Sequence, residues 1–373
     1  MWTKLVPITA LITAVTLAGP VTGSASASPT TPPVGGDALG VRGLVRPDGT
    51  KAPPKSKATS YVIADHETGQ VLAAKNAHGH YLPASTLKML TALTLIPKLD
   101  KNLTVRPSRN AVNQEGSAVG LQTRPIYKVD DLFKALMMSS GNDAAMALAE
   151  TNGGLAKTMS DMNAEAKRLQ ANDTVAKTPS GLDKPGQRSS AYDLALIARA
   201  GLANPDFRRY ISTRTAKFPA PKKAYEISNH NKLLWRYKGM IGVKNGWTSK
   251  AMGAFVGAAT RDGHTIIVSI MRHEGYFWDE VAGLLDWGFA ARGKVTPVGR
   301  LVDPLPVQQA APPPTPAATP TASPAIQPPL LDSSAAKQTS TTRMVGSLVI
   351  GGGLLLGLAW LIYGLRRKRR SGV

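Results

Sequence analysis

Ser85 and Lys88 stand three residues apart in the run PASTLKML, residues 83–90. On a helix, positions i and i+3 share a face one turn apart. A serine hydroxyl is a poor nucleophile until a base lies within about 3 Å of it. Lysine serves as that base only when its pKa falls well below about 10.4, which a water-poor site with other cations nearby brings about. Lys88 interrupts a small, apolar run that continues as TALTLI, so it opposes stability and suits acyl transfer. The pair alone is a weak signal. Ser334 and Lys337 repeat its spacing in a Pro-rich segment, and a lysine that buries its stem while its ammonium reaches water is the ordinary alternative.

Two later runs change the reading. Ser140-Gly141-Asn142 falls at a break between helical segments, where side chains can face a cleft. Lys244-Asn245-Gly246 falls on an expected strand and leads into Trp247-Thr248. Ser108-Arg109-Asn110 and Lys184-Pro185-Gly186 match the same short patterns, so neither run is specific by itself. The specific feature is the order Ser-x-x-Lys, Ser-x-Asn, Lys-x-Gly, placed on a helix start, an interhelix loop and a late strand. That set serves acyl transfer through an active-site serine.

The elements that must position these groups are legible in outline. Tyr61-Val62-Ile63 and Val71-Leu72-Ala73 read as strands about a turn at Glu67-Thr68-Gly69. Leu87, Leu90, Thr91 and Leu95 recur at helical spacing, and Pro97 ends that helix. Helical patterns flank residues 139–141, cover 154–171 and run on from Ser190, a cap with Asp193 as its capping-box partner. GMIGVKNGWT and AMGAFVGAATRDGHTIIVSIMRH read as strands with a hairpin turn at Arg261-Asp262-Gly263, and FWDEVAGLLDWGFAAR as a closing helix. Early strands, a helical middle and late strands predict an α+β, three-layer fold, with sheet edges drawn from both ends of the domain. Trp235, Trp247, Trp278 and Trp287 are expected in the core or lining the cleft, and His230, between two asparagines, is expected to be structural.

Both ends of the 373-residue chain carry other signals. Residues 1–27 have one lysine, an apolar stretch from Leu5 to Val21 and the exit Ala25-Ser26-Ala27, the layout of a signal peptide cleaved before Ser28. Met344 to Leu365 has no charged residue and spans about 33 Å as a helix, enough for a bilayer core of about 30 Å. Arg366 to Arg370, RRKRR, follows at once in the basic tail 366–373, which by the positive-inside rule keeps the preceding chain outside the membrane. Residues 28–58 and 303–343 are Pro-rich and read as spacers, leaving one domain at 59–302. The absence of cysteine excludes disulfides, thiol catalysis and cysteine metal sites. A formal charge of +21 on an outward-facing chain suits an anionic cell envelope rather than nucleic acid.

ADHETGQVLAAKN, LPASTLKMLTAL, MMSSGNDAAMALAE, TPSGLD, SSAYDLALIARA and NHNKLLWRYKGMIGVKNGWT, with the three motifs in order, resemble the D-alanyl-D-alanine carboxypeptidases, low-molecular-mass penicillin-binding proteins. The likeness covers nearly all of residues 59–291. It implies a β-lactamase/penicillin-binding transpeptidase-like fold, an antiparallel sheet flanked by helices with a helical subregion. It implies Ser85 as nucleophile toward peptidoglycan stem peptides ending D-Ala-D-Ala, Lys88 as general base and Ser140 as proton relay. Asn142, Lys244, Asn245, Gly246, Trp247 and Thr248 would bind substrate, with the N–H groups of Ser85 and Trp247 as the oxyanion hole and Gly246 giving the substrate backbone room. β-Lactams would acylate Ser85, and no metal or cofactor is expected.

Asn245 departs from the family's usual threonine, whose hydroxyl helps bind the terminal carboxylate. Its amide can also donate, from a longer side chain, and Thr248 could share that task. The departure leaves a cross-link endopeptidase or a weakened stem-peptide-binding module as alternatives. A β-lactamase of class A would need a deacylating glutamate, but Glu165, 23 residues after Asn142, reads as a helix-surface residue. The six histidines are scattered without metal spacing, and no G-x-S-x-G elbow is present.

Overall fold

The computed structural model of the chain describes residues 32–306. The expected signal peptide, the membrane span at 344–365 and the basic tail lie outside these residues, as does nearly all of the C-terminal spacer. Among the described residues no helix is long and apolar enough to cross a membrane.

Eleven strands and nine α-helices are described. The strands are β1 (Leu44–Val45), β2 (Ser60–Asp65), β3 (Gln70–Lys75), β4 (Thr104–Val105), β5 (Tyr127–Lys128), β6 (Thr215–Phe218), β7 (Tyr225–Ser228), β8 (Met240–Thr248), β9 (Met252–Arg261), β10 (His264–His273) and β11 (Gly299–Arg300). The helices are α1 (Lys88–Leu95), α2 (Arg109–Val112), α3 (Val129–Met138), α4 (Asn142–Thr151), α5 (Leu155–Arg168), α6 (Ala191–Ala203), α7 (Pro205–Ser212), α8 (Leu233–Arg236) and α9 (Trp278–Ala291).

The main sheet is antiparallel in the order β1-β3-β2-β10-β9-β8, with β11 also on β3. β8 forms one edge, and the early strand β3 with two short terminal partners forms the other. Central strands are buried on both faces because their alternate residues enter different cores. Val62 and Ala64 of β2 join Ile267 of β10 and helices α1, α3, α4 and α6. Tyr61 and Ile63 join Ile266, Val268 and Ile270 of β10 and Trp278, Val281, Leu284 and Leu285 at α9. Helices on both faces make the expected three layers. The β9–β10 hairpin closes through Asp262 and Gly263, at φ 50° and 77°, the pair of left-handed residues a two-residue primed turn requires.

Four expectations are corrected. Residues 32–58 are tied to the domain: Leu39 is buried, β1 pairs with β3, and Gly35 O accepts from Arg300 N at 2.8 Å. Composition concealed this because a few fixed apolar contacts suffice to hold a Pro-rich strap. The Asp193 N–H donates to Ser190 Oγ as the cap predicts, but the Asp193 carboxylate turns to Thr174 Oγ1 at 2.7 Å rather than completing a capping box. Trp278 is a core residue, whereas Trp235 and Trp247 are 48% and 69% exposed, which removes them from the core and leaves the cleft-lining half of that expectation standing.

The histidines are also less scattered in space than in sequence. His78 Nδ1 lies 2.7 Å and His80 Nε2 2.9 Å from Asp173. His78, Asp173 and Asp193 bring ligand-type atoms within 4.8 Å of one another. His78 Nε2 also faces Val34 O at 3.0 Å, so both ring nitrogens meet acceptors and the group is an ion-paired clasp on the N-terminal strap.

Candidate active site

Ser85 lies in a single 3₁₀ turn, Ala84–Leu87, that winds directly into α1. Ala84 sits at φ 48°, in the left-handed region that residues with a Cβ rarely adopt. Two glycines let the surrounding chain close on this turn. A Cβ at Gly246 would lie 2.5 Å from Ser85 N, and one at Gly181, already at φ 82°, would lie 1.9 Å from Ala84 O. The expected reason for Gly246 therefore needs correcting: the backbone its missing side chain admits is the turn that carries Ser85. Strand β8, the loop 178–183 and the turn form one close-packed unit.

Lys88 is fully buried one turn after Ser85. Its Nζ is 2.9 Å from Ser85 Oγ, 2.6 Å from Asn142 Oδ1 and 2.7 Å from Ser180 O. The last two partners are carbonyl oxygens and can only accept. A neutral amine that donates to both has one lone pair left, and its remaining neighbour is the Ser85 hydroxyl. Burial holds the Lys88 pKa well below the usual lysine range, and the charge of Lys244 presses the same way against a smaller opposing pull from Asp143. Lys244, also buried, is pushed down to about 7 by desolvation.

The Ser140 loop fills the break between α3 and α4. Ser140 is 5% exposed and sits at φ 61°, a strained conformation of the kind found at functional sites. Asn142 opens α4, and its Nδ2 donates to Glu115 O at 2.6 Å while its Oδ1 accepts from Lys88. The neighbouring Asp143 carboxylate accepts the N–H groups of Val119, Gly120 and Leu121 at 2.9–3.2 Å. Loop 115–121 is thereby pinned beside Lys88 as one wall.

On β8, Lys244 Nζ donates to Asn245 O at 2.8 Å. The Asn245 side chain makes no hydrogen bond to the described residues and is available to a ligand. Thr248 is not: its hydroxyl donates to the Asp183 carboxylate at 2.9–3.0 Å and accepts from Ala251 N. The structure brings Ser85, Lys88 and Asn142 into contact, with Lys244 near enough for its charge to act on Lys88, and sequence reasoning missed the loop that lies against them. Ser180 contributes a backbone carbonyl, which has no signature in residue type. That carbonyl is held in place by Thr91 Oγ1 on Pro179 O and by Gln187 bridging Thr178 and Leu182.

A family profile described as D-alanyl-D-alanine carboxypeptidase matches residues 48–275. The chain is 39% identical over 253 residues to a D-alanyl-D-alanine carboxypeptidase of Mycobacterium tuberculosis, covering 66% of this chain and 87% of that one. A crystal structure of D-alanyl-D-alanine carboxypeptidase from that organism matches with a TM-score of 0.66 and 39% identity, over 69% of this chain and all but 1% of its own. The Streptomyces K15 DD-transpeptidase matches with a TM-score of 0.61 at 26% identity, over 64% of this chain and 100% of its own. The chain belongs to the D-alanyl-D-alanine carboxypeptidase family, and it is a serine peptidase with the penicillin-binding fold.

Proposed function

We propose that this chain is an exported, membrane-held carboxypeptidase that removes the terminal D-Ala of peptidoglycan stem peptides through an acyl-enzyme on Ser85. The observation that carries this is the Lys88 amine: it is buried, pressed toward neutrality, committed to two acceptor-only carbonyls, and left facing Ser85 Oγ. Ser85 Oγ attacks the penultimate D-Ala carbonyl while Lys88 takes its proton. The oxyanion that forms is held by the N–H groups of Ser85 and Trp247. Ser140 relays a proton to the departing amine, the C–N bond breaks and D-Ala leaves. Water then attacks the acyl carbon, releasing the shortened peptide and restoring the Ser85 hydroxyl.

Asn142 holds Lys88 and one cleft wall together. Lys244 and Asn245 receive the terminal carboxylate, and Gly246 keeps β8 against the serine turn. Thr248 contributes through Asp183 rather than by offering its hydroxyl to substrate. β-Lactams acylate the same serine. Export by residues 1–27 and a span at 344–365 place the domain on the outer side. If extended, the intervening spacer of about 40 residues, at up to about 3.1 Å each, would hold the domain on the order of 100 Å from the membrane.

The test is to mix the purified chain and Ser85→Ala with a peptide ending D-Ala-D-Ala, following free D-Ala and the mass of the intact protein. Release by the first and none by the second is the expected result. No release from either sinks the carboxypeptidase reading.

A further inference from the structure

Three aromatic side chains lie exposed around the end of β8. Trp235 and Trp247 are joined there by Tyr276, 57% exposed in the loop between β10 and α9. Trp247 pairs with Gly253 across β8 and β9, and Gly253 with His273 across β9 and β10, so the three strands end together. A Cβ at Gly253 would lie 3.0 Å from the Phe277 ring. Directly paired residues project to one face of a sheet, so Trp247 rises on the face that Phe277 covers, and Tyr276 is next to Phe277 in the chain.

α8 supplies the rest of this surface. Lys232 has helical dihedrals and its carbonyl accepts from Trp235 N at 3.3 Å, so Lys232, Trp235 and Arg236 stand at i, i+3 and i+4 on one side of the turn. Leu233 and Leu234, on the other side, are buried in the same core as Phe277. Lys232 Nζ and the Arg236 guanidinium lie 5.7 and 5.8 Å from the centre of the Tyr276 ring, within the reach of a cation on an aromatic face. Arg236 is held in addition by Asp279 at 3.0 Å. Apart from Tyr225, the other exposed large apolar side chains among the described residues are aliphatic. Single exposed apolar residues need no explanation, but a group of ring faces edged by cations does.

The direction of the substrate says what meets this ledge. With the terminal carboxylate at Lys244 and Asn245 and the scissile carbonyl at Trp247 N, the leaving residue lies toward the start of β8. The retained chain runs on past Trp247, and in the wall that chain hangs from a glycan. Two interstrand spacings, roughly 10 Å, separate Trp247 from the end of β10. A few stem residues at about 3.3–3.6 Å each cover that distance. Sugar rings offer C–H faces that pack on aromatic rings, and their polar rims suit flanking cations. A membrane face uses the same residue types, but this ledge adjoins the cleft, and the proposed span is separated from the domain by the whole spacer. We infer that Trp235, Tyr276 and the exposed indole of Trp247, with Lys232 and Arg236, form a glycan-binding ledge that holds the sugar strand bearing the stem peptide. The inference rests on the function proposed above.

The experiment compares D-Ala release from a free peptide ending D-Ala-D-Ala with release from the same peptide borne on soluble, un-cross-linked glycan chains. It uses the wild type, Trp235→Ala, Tyr276→Ala and Tyr276→Phe. Both positions are exposed and lie outside the acyl-transfer groups, so kcat/KM for the free peptide stays unchanged in all four. For the glycan-borne peptide each alanine variant loses about tenfold, through KM, the scale of one lost aromatic contact, and Tyr276→Phe keeps the wild-type value. Ser85→Ala, with and without Tyr276→Ala, is then titrated with glycan chains stripped of their peptides by an amidase. Binding by the first, and about tenfold weaker binding by the second, is the expected result. Equal effects on the two substrates, or none, overturn the inference, and that is the outcome if the ledge is a membrane face or a contact between copies. No binding of the stripped glycan overturns it as well. If the wild type releases no D-Ala from either substrate, the proposed function fails, and the titration with stripped glycan still judges the ledge.

Discussion

The domain contains two clusters of ionisable groups built on opposite rules, a half-buried one around His78 and a buried one around Lys88. At His78 every polar hydrogen meets an acceptor and the principal partner is a carboxylate. Burial works against the imidazolium, but the hydrogen bond and charge of Asp173 outweigh it, and the His78 pKa is raised. At Lys88 the hydrogen bonds are as short, yet the partners are neutral oxygens, and the charge of Lys244 outweighs the opposing pull of Asp143. The first arrangement fixes a proton and staples the N-terminal strap. The second loosens a proton and leaves a base. Hydrogen bonding orients both groups, and only compensation of charge separates a staple from a reagent.

The comparison breaks most sharply at Lys88. Lys88→Met should slow acylation about a thousandfold, within the range of a lost general base, as read by intact mass against a β-lactam. The thermal midpoint should stay within a few degrees, because the relief of a buried amine offsets the donor lost by Asn142 Oδ1 and Ser180 O. A midpoint several degrees lower would mean that Lys88 is a staple after all.

Lys244→Met tests the second half of the contrast. Without that cation the Lys88 pKa rises, so the acid limb of the acylation profile moves to higher pH. The same depression has a signature in stability. The unfolded chain keeps Lys244 protonated to about 10.5, whereas the folded chain releases that proton from about 7 upward. The unfolded state then binds more protons, and stability rises with pH across that window. Denaturant titrations at neutral and alkaline pH should show the rise in the wild type and a smaller one in Lys244→Met.

The smallest effect is expected at His78. Its raised pKa stabilises the fold fully below about 6.5, and that contribution is lost as pH rises through the folded value. His78→Gln should cost about 1–2 kcal/mol under mildly acidic conditions and less above them, from the loss of charge-assisted hydrogen bonds. D-Ala release should stay unchanged. A loss of activity matching the loss at Lys88 would erase the distinction between the clusters.

Much of the site was legible because its chemistry resides in side chains at short spacings. Ser85 and Lys88, and Ser140 and Asn142, are each linked through one turn or less, so local geometry already brings them near. The main sheet was legible in the short apolar runs of β2 and β3 and in the Asp-Gly turn of β9–β10. The misreadings fall where the deciding contact is long-range. Thr248 looked free until Asp183, 65 residues earlier, was found at its hydroxyl. The strap at 32–58 has the composition of a spacer and is held by contacts to β3 and β11.

By itself the sequence determined the reaction class: a serine, a lysine one turn on and two later motifs in order specify which functional groups exist and which chain segments carry them. Tertiary structure decided how reactive those groups are. The Lys88 pKa depends on burial, on Lys244 from the far edge strand and on a carbonyl at Ser180, and none of these is a property of residue type. Identity is carried along the chain, whereas solvation and charge compensation arise only where distant segments meet.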